Sequence, residues 1–380
     1  MLIGNLVGLL IILICVAYQY QKSTLMKSFA ILIVTLSAGT AALAFFEPLA
    51  NIFLSRSDNS RFEMIVPWAQ PLSFVLLFIV VFSVLQTIFG KLYRQKVELG
   101  NIAEQIGRVI CGLFVGLILS GTLLTLLLIS PLPVQYPYPR FESTRPNPNN
   151  PNKVFFKPDG FVTGWFSLLS RGSLSGKRSF AALHPSFLDE AFLNRIGYSS
   201  EIPIVSGSES ILVPRRQRAE QKALAVWPAP DELKNSQGNS LPPKSRHHLM
   251  IVRIGIKRTA LEKAGKFTPS QLRLICKREH AAQEPLRGEN LNAYPLGYML
   301  EENRLKTVDL SEQINISFKD FEEGSRVKWL DFAFYVPEGY VPVLLAFKQD
   351  TVVELPAPAA PDEAPQPATF NPQRESTDSK

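Results

Sequence analysis

Glu104-Gln-Ile-Gly-Arg-Val-Ile-Cys-Gly-Leu-Phe-Val-Gly-Leu-Ile-Leu-Ser-Gly-Thr-Leu-Leu-Thr-Leu-Leu-Leu-Ile129 carries no charged side chain after Arg108. A helix needs about 17 to 25 apolar residues to cross roughly 30 Å of hydrocarbon, where each backbone polar group has to be satisfied within the segment. Val109 to Ile129 meets that length, and three earlier runs do the same: Leu2 to Tyr18, Ser28 to Phe46 and Leu72 to Phe89. They predict a four-helix transmembrane domain over residues 1–131. The fold class read from the whole chain is an α-helical membrane protein followed by an extramembrane α+β region with a small β-sandwich.

Whole-chain averages conceal this. At 380 residues, 46% hydrophobic and 19% charged, the composition would suit an ordinary globular protein; only its segregation along the chain is informative. The net charge of +7 is spread over mixed-sign surface, whereas a nucleic-acid footprint needs clustered, unopposed Lys and Arg, so no nucleic-acid partner is expected. The one dense basic run, Val213-Pro-Arg-Arg-Gln-Arg218, leads straight into Glu220 and reads as a solvated loop or helix end. Cys15 and Cys111 lie in apolar runs and act as small hydrophobes, leaving Cys276 as a lone thiol outside the membrane. His184, His247, His248 and His280 have no partner at ligand spacing, so neither a metal nor a cofactor is expected.

The first run lacks Lys or Arg before it and a small-x-small site after it, and reads as a retained helix. The bulky Ile14 before Cys15 argues against a lipid-attachment site. Lys22 and Lys27 mark the first loop and Lys91, Arg94, Lys96 and Arg108 the third. In the second, Asp58 and Glu63 match Arg56 and Arg61. Basic loops are retained in the cytoplasm, which places the N-terminus and everything after Pro131 on the outer face. A reporter fused at Thr144 and active only in the cytoplasm would overturn this orientation.

Apolar side chains gain little by leaving lipid tails, so helices in lipid associate where small residues let backbones approach. Gly4 and Gly8 mark such a face on the first helix, and Ser37 to Ala44 one on the second. Gly107, Gly112, Gly116, Ser120 and Gly121 mark one on the fourth. These helices are expected to pack tightly and to offer a route to self-association. The third, with Phe74-Val-Leu-Leu-Phe-Ile-Val-Val-Phe82, should face lipid more. Only Gln86 and Glu47 approach membrane depth as polar or ionisable groups, which disfavours a coupled pump.

Glu104 to Gly121, with Gly107, Gly112, Gly116 and Gly121 at near-helical spacing, resembles the last helix of the colicin V production protein family. That family has an Asp-Arg pair at the helix start, where this chain has Glu104-Gln105. The basic turn Gln21-Lys-Ser-Thr-Leu-Met-Lys27 is a loose version of the family's Arg-Gly turn. Lys157-Pro-Asp-Gly-Phe-Val-Thr-Gly-Trp-Phe-Ser-Leu-Leu-Ser-Arg-Gly-Ser-Leu-Ser-Gly176, with His184-Pro-Ser-Phe-Leu-Asp189, is similar to the segment that comes after the helices in enlarged planctomycete-type members. The resemblance implies a non-enzymatic inner-membrane protein linked to toxin production or secretion, or to envelope upkeep. Its expected partners are membrane lipids, further copies of itself and an envelope protein. The alternative is a subunit of a small-solute channel or exporter.

Residues 132–153 are Pro- and Asn-rich and read as an extended tether. Residues 154–198 read as short amphipathic helices over Phe161 to Leu169 and Pro185 to Ile196; Phe187, Leu188, Ala191, Phe192 and Ile196 form a face expected to pack on the next domain. Residues 199–248 read as an irregular linker. From Leu249 the period becomes two, and strands are expected at Leu249 to Lys257, Gln271 to Lys277, Ile314 to Phe318, Val327 to Val336, Val341 to Phe347 and Thr351 to Leu355. They would form the sandwich over 249–356, ahead of a disordered tail at 357–380.

Two catalytic patterns fail on inspection. Gly172-Ser-Leu-Ser-Gly176 places Leu174 where a nucleophile elbow needs its serine, and as a phosphate loop it has its glycines one residue too close, with Arg178 in place of the magnesium-binding hydroxyl. Ser175, His184 and Asp189 form a triad in name only, and no catalytic residue is assigned.

Overall fold

The structure is a computed structural model that describes residues 2–54, 65–92, 101–152, 154, 156–172, 176, 178–207, 209–214 and 224–372. The charges at Arg56, Asp58, Arg61, Glu63, Arg94 and Lys96, the serine at Ser175 and the basic run from Arg215 lie outside the described residues. The chain divides into two units, Met1–Arg140 with Pro151–Ser173, and Phe141–Asn150 with Leu174–Lys380.

The first unit is helical: α1 (Leu2–Lys22), α2 (Leu25–Leu54), α3 (Ala69–Leu92), α4 (Asn101–Ile129) and α5 (Pro158–Arg171). Among the described residues the first four are long and apolar enough to cross a membrane. They extend beyond the predicted spans because the helical backbone continues through the flanking charges and, in α2, through Pro48. Ser23 and Thr24 alone join α1 to α2, and the Ser28 hydroxyl closes this turn by donating to Gln19 Oε1 at 2.7 Å. The Lys22 and Lys27 of the expected loop are therefore on helix ends.

α1 packs on α4, while α2 packs on both α3 and α4. The burial is uneven: 61% of the apolar window of α4 is buried, 44% of that in α2, 22% in α1 and 11% in α3. α4 is the central helix. α3 is the most exposed, in line with its bulky sequence, but α1 is nearer to α3 than its glycines suggest. Its contact is a narrow stripe, and Leu6, Leu9, Leu10 and Leu13 stay exposed.

The second unit begins its ordered elements with α6 (Phe180–Leu183) and α7 (Phe187–Asn194) and continues as β structure. The strands are β1 (Ile211–Leu212), β2 (Val226–Pro228), β3 (Lys234–Asn235), β4 (His247–Lys257), β5 (Lys266–Phe267), β6 (Leu272–Arg278) and β7 (Leu291–Ala293). They are followed by β8 (Pro295–Glu301), β9 (Arg304–Thr307), β10 (Ile314–Asn315), β11 (Val327–Pro337), β12 (Tyr340–Phe347) and β13 (Thr351–Glu354). A seven-stranded sheet runs β1-β4-β11-β8-β9-β3 with β2 also on β4, a four-stranded sheet runs β13-β12-β6-β7, and β10 pairs with β5. Alternation explains which side chains meet: Val252, Ile254, Ile256, Leu330, Phe332 and Phe334 from the larger sheet share one core with Leu272, Leu274, Leu345 and Phe347 from the smaller. The opposite face of the larger sheet puts Ile251 and Ala333 against Trp227 and Leu233.

Three expectations are corrected here. Residues 199–248 are no linker: they supply β1, β2 and β3, and Ile202, Ile204 and Val205 are buried. Residues 132–153 are no free tether. Tyr138 is fully buried in the helical unit, and in the other unit Thr144 O accepts the Ser311 hydroxyl at 2.6 Å. The tail is ordered through Pro372, with Ala359 N–H on Val226 O at 2.8 Å, Ala368 N–H on Asp331 Oδ2 at 2.7 Å and Phe370 N–H on Met299 O at 2.9 Å. An extended Pro-rich strap needs only occasional backbone bonds and one buried aromatic to be held, and a compositional average hides both.

Candidate functional site at the glycine-lined helix junction

The small residues of α1 and α4 lie where backbones meet. A Cβ on Gly112 would stand 2.9 Å from Val16 Cα, and one on Gly116 2.6 Å from Ile12 Cα, so α1 crosses α4 along these two positions. At Gly107 an added Cβ would overlap the Leu25 side chain at the start of α2. One on Gly4 would come 2.6 Å from Pro137 O, and one on Gly8 3.3 Å from the Phe156 ring. Gly121 is the tightest: its Cβ would overlap the Pro158 carbonyl oxygen and stand 2.6 Å from Val162 Cγ2, both on α5. Ser120 is fully buried and donates to Leu117 O at 3.1 Å. The faces expected to serve self-association are thus filled from within the chain, because the segment after α4 folds back over α1 and α4.

That fold-back brings an acid into the junction. Asp159, on the first turn of α5 beside the Gly121 contact, is fully buried; Tyr138 O–H donates to its Oδ2 and Gly160 N–H to its Oδ1 at 2.9 Å. Burial pushes its carboxyl above the usual carboxylate range, against the downward pull of the Tyr138 hydroxyl, the Gly160 N–H and the Arg140 charge. Nearer the end of the bundle where α3 starts and α4 stops, the hydroxyls of Ser73, Thr122 and Thr125 and the Asn5 Oδ1 are buried without a hydrogen-bond partner among the described residues. Their burial in an apolar bundle carries a cost in the absence of a partner. The junction therefore holds one buried carboxyl and several hydroxyl and amide groups, with no nucleophile paired with a base among the described residues.

Asp159, Tyr138 and Arg140 escape a search confined to the apolar runs. One signal marks them: between Asp159 and Arg171 no residue is charged, so this acid opens an uncharged helix. Asp159→Ala is expected to destabilise the helical unit by about 1–3 kcal/mol by removing the buried carboxyl that accepts from the Tyr138 hydroxyl and the Gly160 N–H. Asp159→Asn should cost much less, a contrast read by thermal unfolding in detergent.

In the β-rich unit, the Ser175 of the nominal triad lies outside the described residues, and its histidine is engaged by another acid. His184 Nδ1 lies 2.7 Å from Glu190 Oε2, and Arg273 Nη1 is 3.1 Å from the same oxygen. Glu190 Oε1 accepts Ser186 N–H at 3.0 Å and Asn292 Nδ2 at 2.7 Å. This carboxylate fastens α6 and α7 to β6 and β7. Of the apolar face predicted over Pro185 to Ile196, Phe187, Ala191, Phe192 and Ile196 are buried and Leu188 is half-buried, and Gln271 Nε2 donates to Asn194 O at 2.8 Å. Cys276 is fully buried, and burial pushes its thiol up, away from reactivity. No group of His, Cys, Asp and Glu able to hold a metal occurs among the described residues. No protein-family model, no curated protein and no solved structure matches the chain.

Proposed function

We propose that the chain is an integral inner-membrane protein of the colicin V production type that acts without catalysis, holding a periplasmic β-rich domain for contact with an envelope protein. The observation that carries this reading is the closed helix junction. Gly112, Gly116 and Gly121 join α1, α4 and α5 into one anchor, and a β-rich unit with its own core follows. The two sheets around that core are read as the small sandwich, an architecture that commonly binds or supports; this last step is analogy of fold. A role in toxin production, secretion or envelope upkeep rests on the resemblance alone, carried by the Gly107 to Gly121 helix, the basic turn at Gln21 to Lys27 and the segment from Lys157 to Asp189. Self-association then uses faces other than the filled glycine seam, such as exposed α3 or the exposed leucines of α1.

A second reading, a subunit of a small-solute channel or exporter, is favoured by the unmatched hydroxyls of Ser73, Thr122 and Thr125 beside a buried acid. Deleting the protein separates the two. Increased sensitivity to envelope stress with unchanged solute flux in membrane vesicles is expected for the anchor, and altered flux would overturn it. A reporter fused after Lys380 should be active only outside the cytoplasm.

A further inference from the structure

α5 is too short to span a bilayer, yet it begins at membrane depth. Gly121 stands eight residues before Ile129, the end of α4, and at about 1.5 Å per residue that is roughly 12 Å along the helix. Pro158 and Val162 of α5 rest on Gly121. α1 gives the same depth independently, since Gly8, about two turns from its Leu2 start, meets Phe156 and Pro158. After leaving the bundle at Ile129, the chain thus returns to the level of Gly121 before α5 starts.

The two faces of α5 differ. Val162, Thr163, Phe166 and Ser170 are buried with Asp159, whereas Phe161, Trp165 and Leu168 remain 40%, 37% and 61% exposed at helical spacing on the other side. Lys157 precedes the helix; within it, Asp159 on the first turn is buried in the junction, and the next charge is Arg171 at its last residue. A predominantly apolar stretch of about 10 to 14 residues suits a buried core helix or a re-entrant or interfacial segment, and the exposed second face of α5 separates it from a buried core helix. We infer that α5 is a re-entrant helix whose Phe161, Trp165 and Leu168 face contacts the acyl chains of the leaflet around the end of the bundle where α4 stops. The occupant is lipid hydrocarbon because the helix that carries this face starts at the depth of α1 and α4 positions inside their own spans. α1, whose Gly8 meets Phe156 and Pro158, itself exposes Leu6, Leu9 and Leu13. Trp165, with an apolar body and a polar N–H, suits the boundary of that layer.

The inference rests on the bilayer-spanning reading of α1 to α4, and the test distinguishes the two. The full-length protein is placed in phosphatidylcholine vesicles with and without brominated acyl chains, and tryptophan emission is compared among wild type, Trp165→Phe and Trp68→Phe. Trp227 is buried in the β-rich unit, while Trp68 is exposed just before α3 and serves as the lipid reference. Bromine is expected to quench the wild type, with about half of the quenchable emission lost in Trp165→Phe. Unchanged quenching in Trp165→Phe with a loss in Trp68→Phe would overturn the re-entrant helix and leave the spanning helices standing. This is also the result if the β-rich unit or a second copy covers the face. Absence of quenching in the wild type would overturn both readings. Trp165→Tyr provides the same comparison should the phenylalanine variant fail to fold.

Discussion

Gly121→Val is expected to unseat α5 and to produce the largest loss of stability of any substitution in the helical unit. Even a single added methyl would overlap the Pro158 carbonyl oxygen and come 2.6 Å from Val162 Cγ2. The first obstacle is backbone and has no rotamer into which it can retreat. Overpacking in a close-packed interior typically costs about 1–3 kcal/mol when neighbours can shift. Here the shift has to displace the turn that carries Asp159, so its hydrogen bonds from Tyr138 and Gly160 go as well. Melting of the purified protein in detergent should fall sharply, and α5 should become open to proteolysis. Gly39→Ala is the matched control, because its nearest neighbour, Thr122 Oγ1, lies at an ordinary 3.7 Å. Gly90→Ala has nothing within 4 Å and should be tolerated. If all three variants melt together, the junction does not hold the bundle.

In the other unit, Glu190→Ala should be the most damaging change. The carboxylate is buried between Arg273 and His184 and takes two further hydrogen bonds, so its removal takes the counter-charge from a buried guanidinium whose remaining bonds include those to Leu183 O and Asn292 Oδ1. Breaking a buried pair in this way costs about 3–5 kcal/mol. Glu190→Gln keeps the bonds from Ser186 and Asn292 within reach and should be milder. The same site sets a pH response. Burial alone would raise the Glu190 carboxyl, but the charges of Arg273 and His184 hold it below its ordinary value of 4.5. Its folded form then binds fewer protons than its unfolded form, so the stabilisation is complete above that value and is lost as the pH falls through the lower folded one. Urea midpoints measured across the acid range, followed through Trp227 and Trp329, should show this loss in the wild type. Glu190→Gln should flatten it, and an unaltered slope would refute the assignment.

Different physics separates the elements legible in the sequence from those that are not. The spanning helices are legible because hydrophobic length is a local property, and β4, β11 and β12 because short runs rich in apolar and β-branched residues are too. β8 is hidden by Pro295 and Gly297, residues that argue against a strand. Gly297 is nevertheless required, since a side chain there would overlap Lys306 O on the neighbouring β9. The glycines of α4 can be marked as a packing face, but not their partners. Only the fold-back of residues 137–158 shows that Gly121 receives α5. Asp159 escapes for the same reason: it lies outside every apolar run and reaches the junction only through tertiary structure. Phe370 sits in a stretch whose composition alone suggests a featureless tail. One aromatic ring seated against Tyr298 at 5.7 Å outweighs the composition around it.

The seam on α4 has a consequence for how the protein is made. Synthesis runs from the N-terminus, so α4 is complete before Pro158 and Val162 leave the ribosome to cover Gly121. During that interval the newly inserted helices carry an open notch of backbone, the kind of surface on which membrane helices pair. Closure by α5 turns a transiently adhesive bundle into a finished one, making α5 the step that ends the window for association with neighbouring chains.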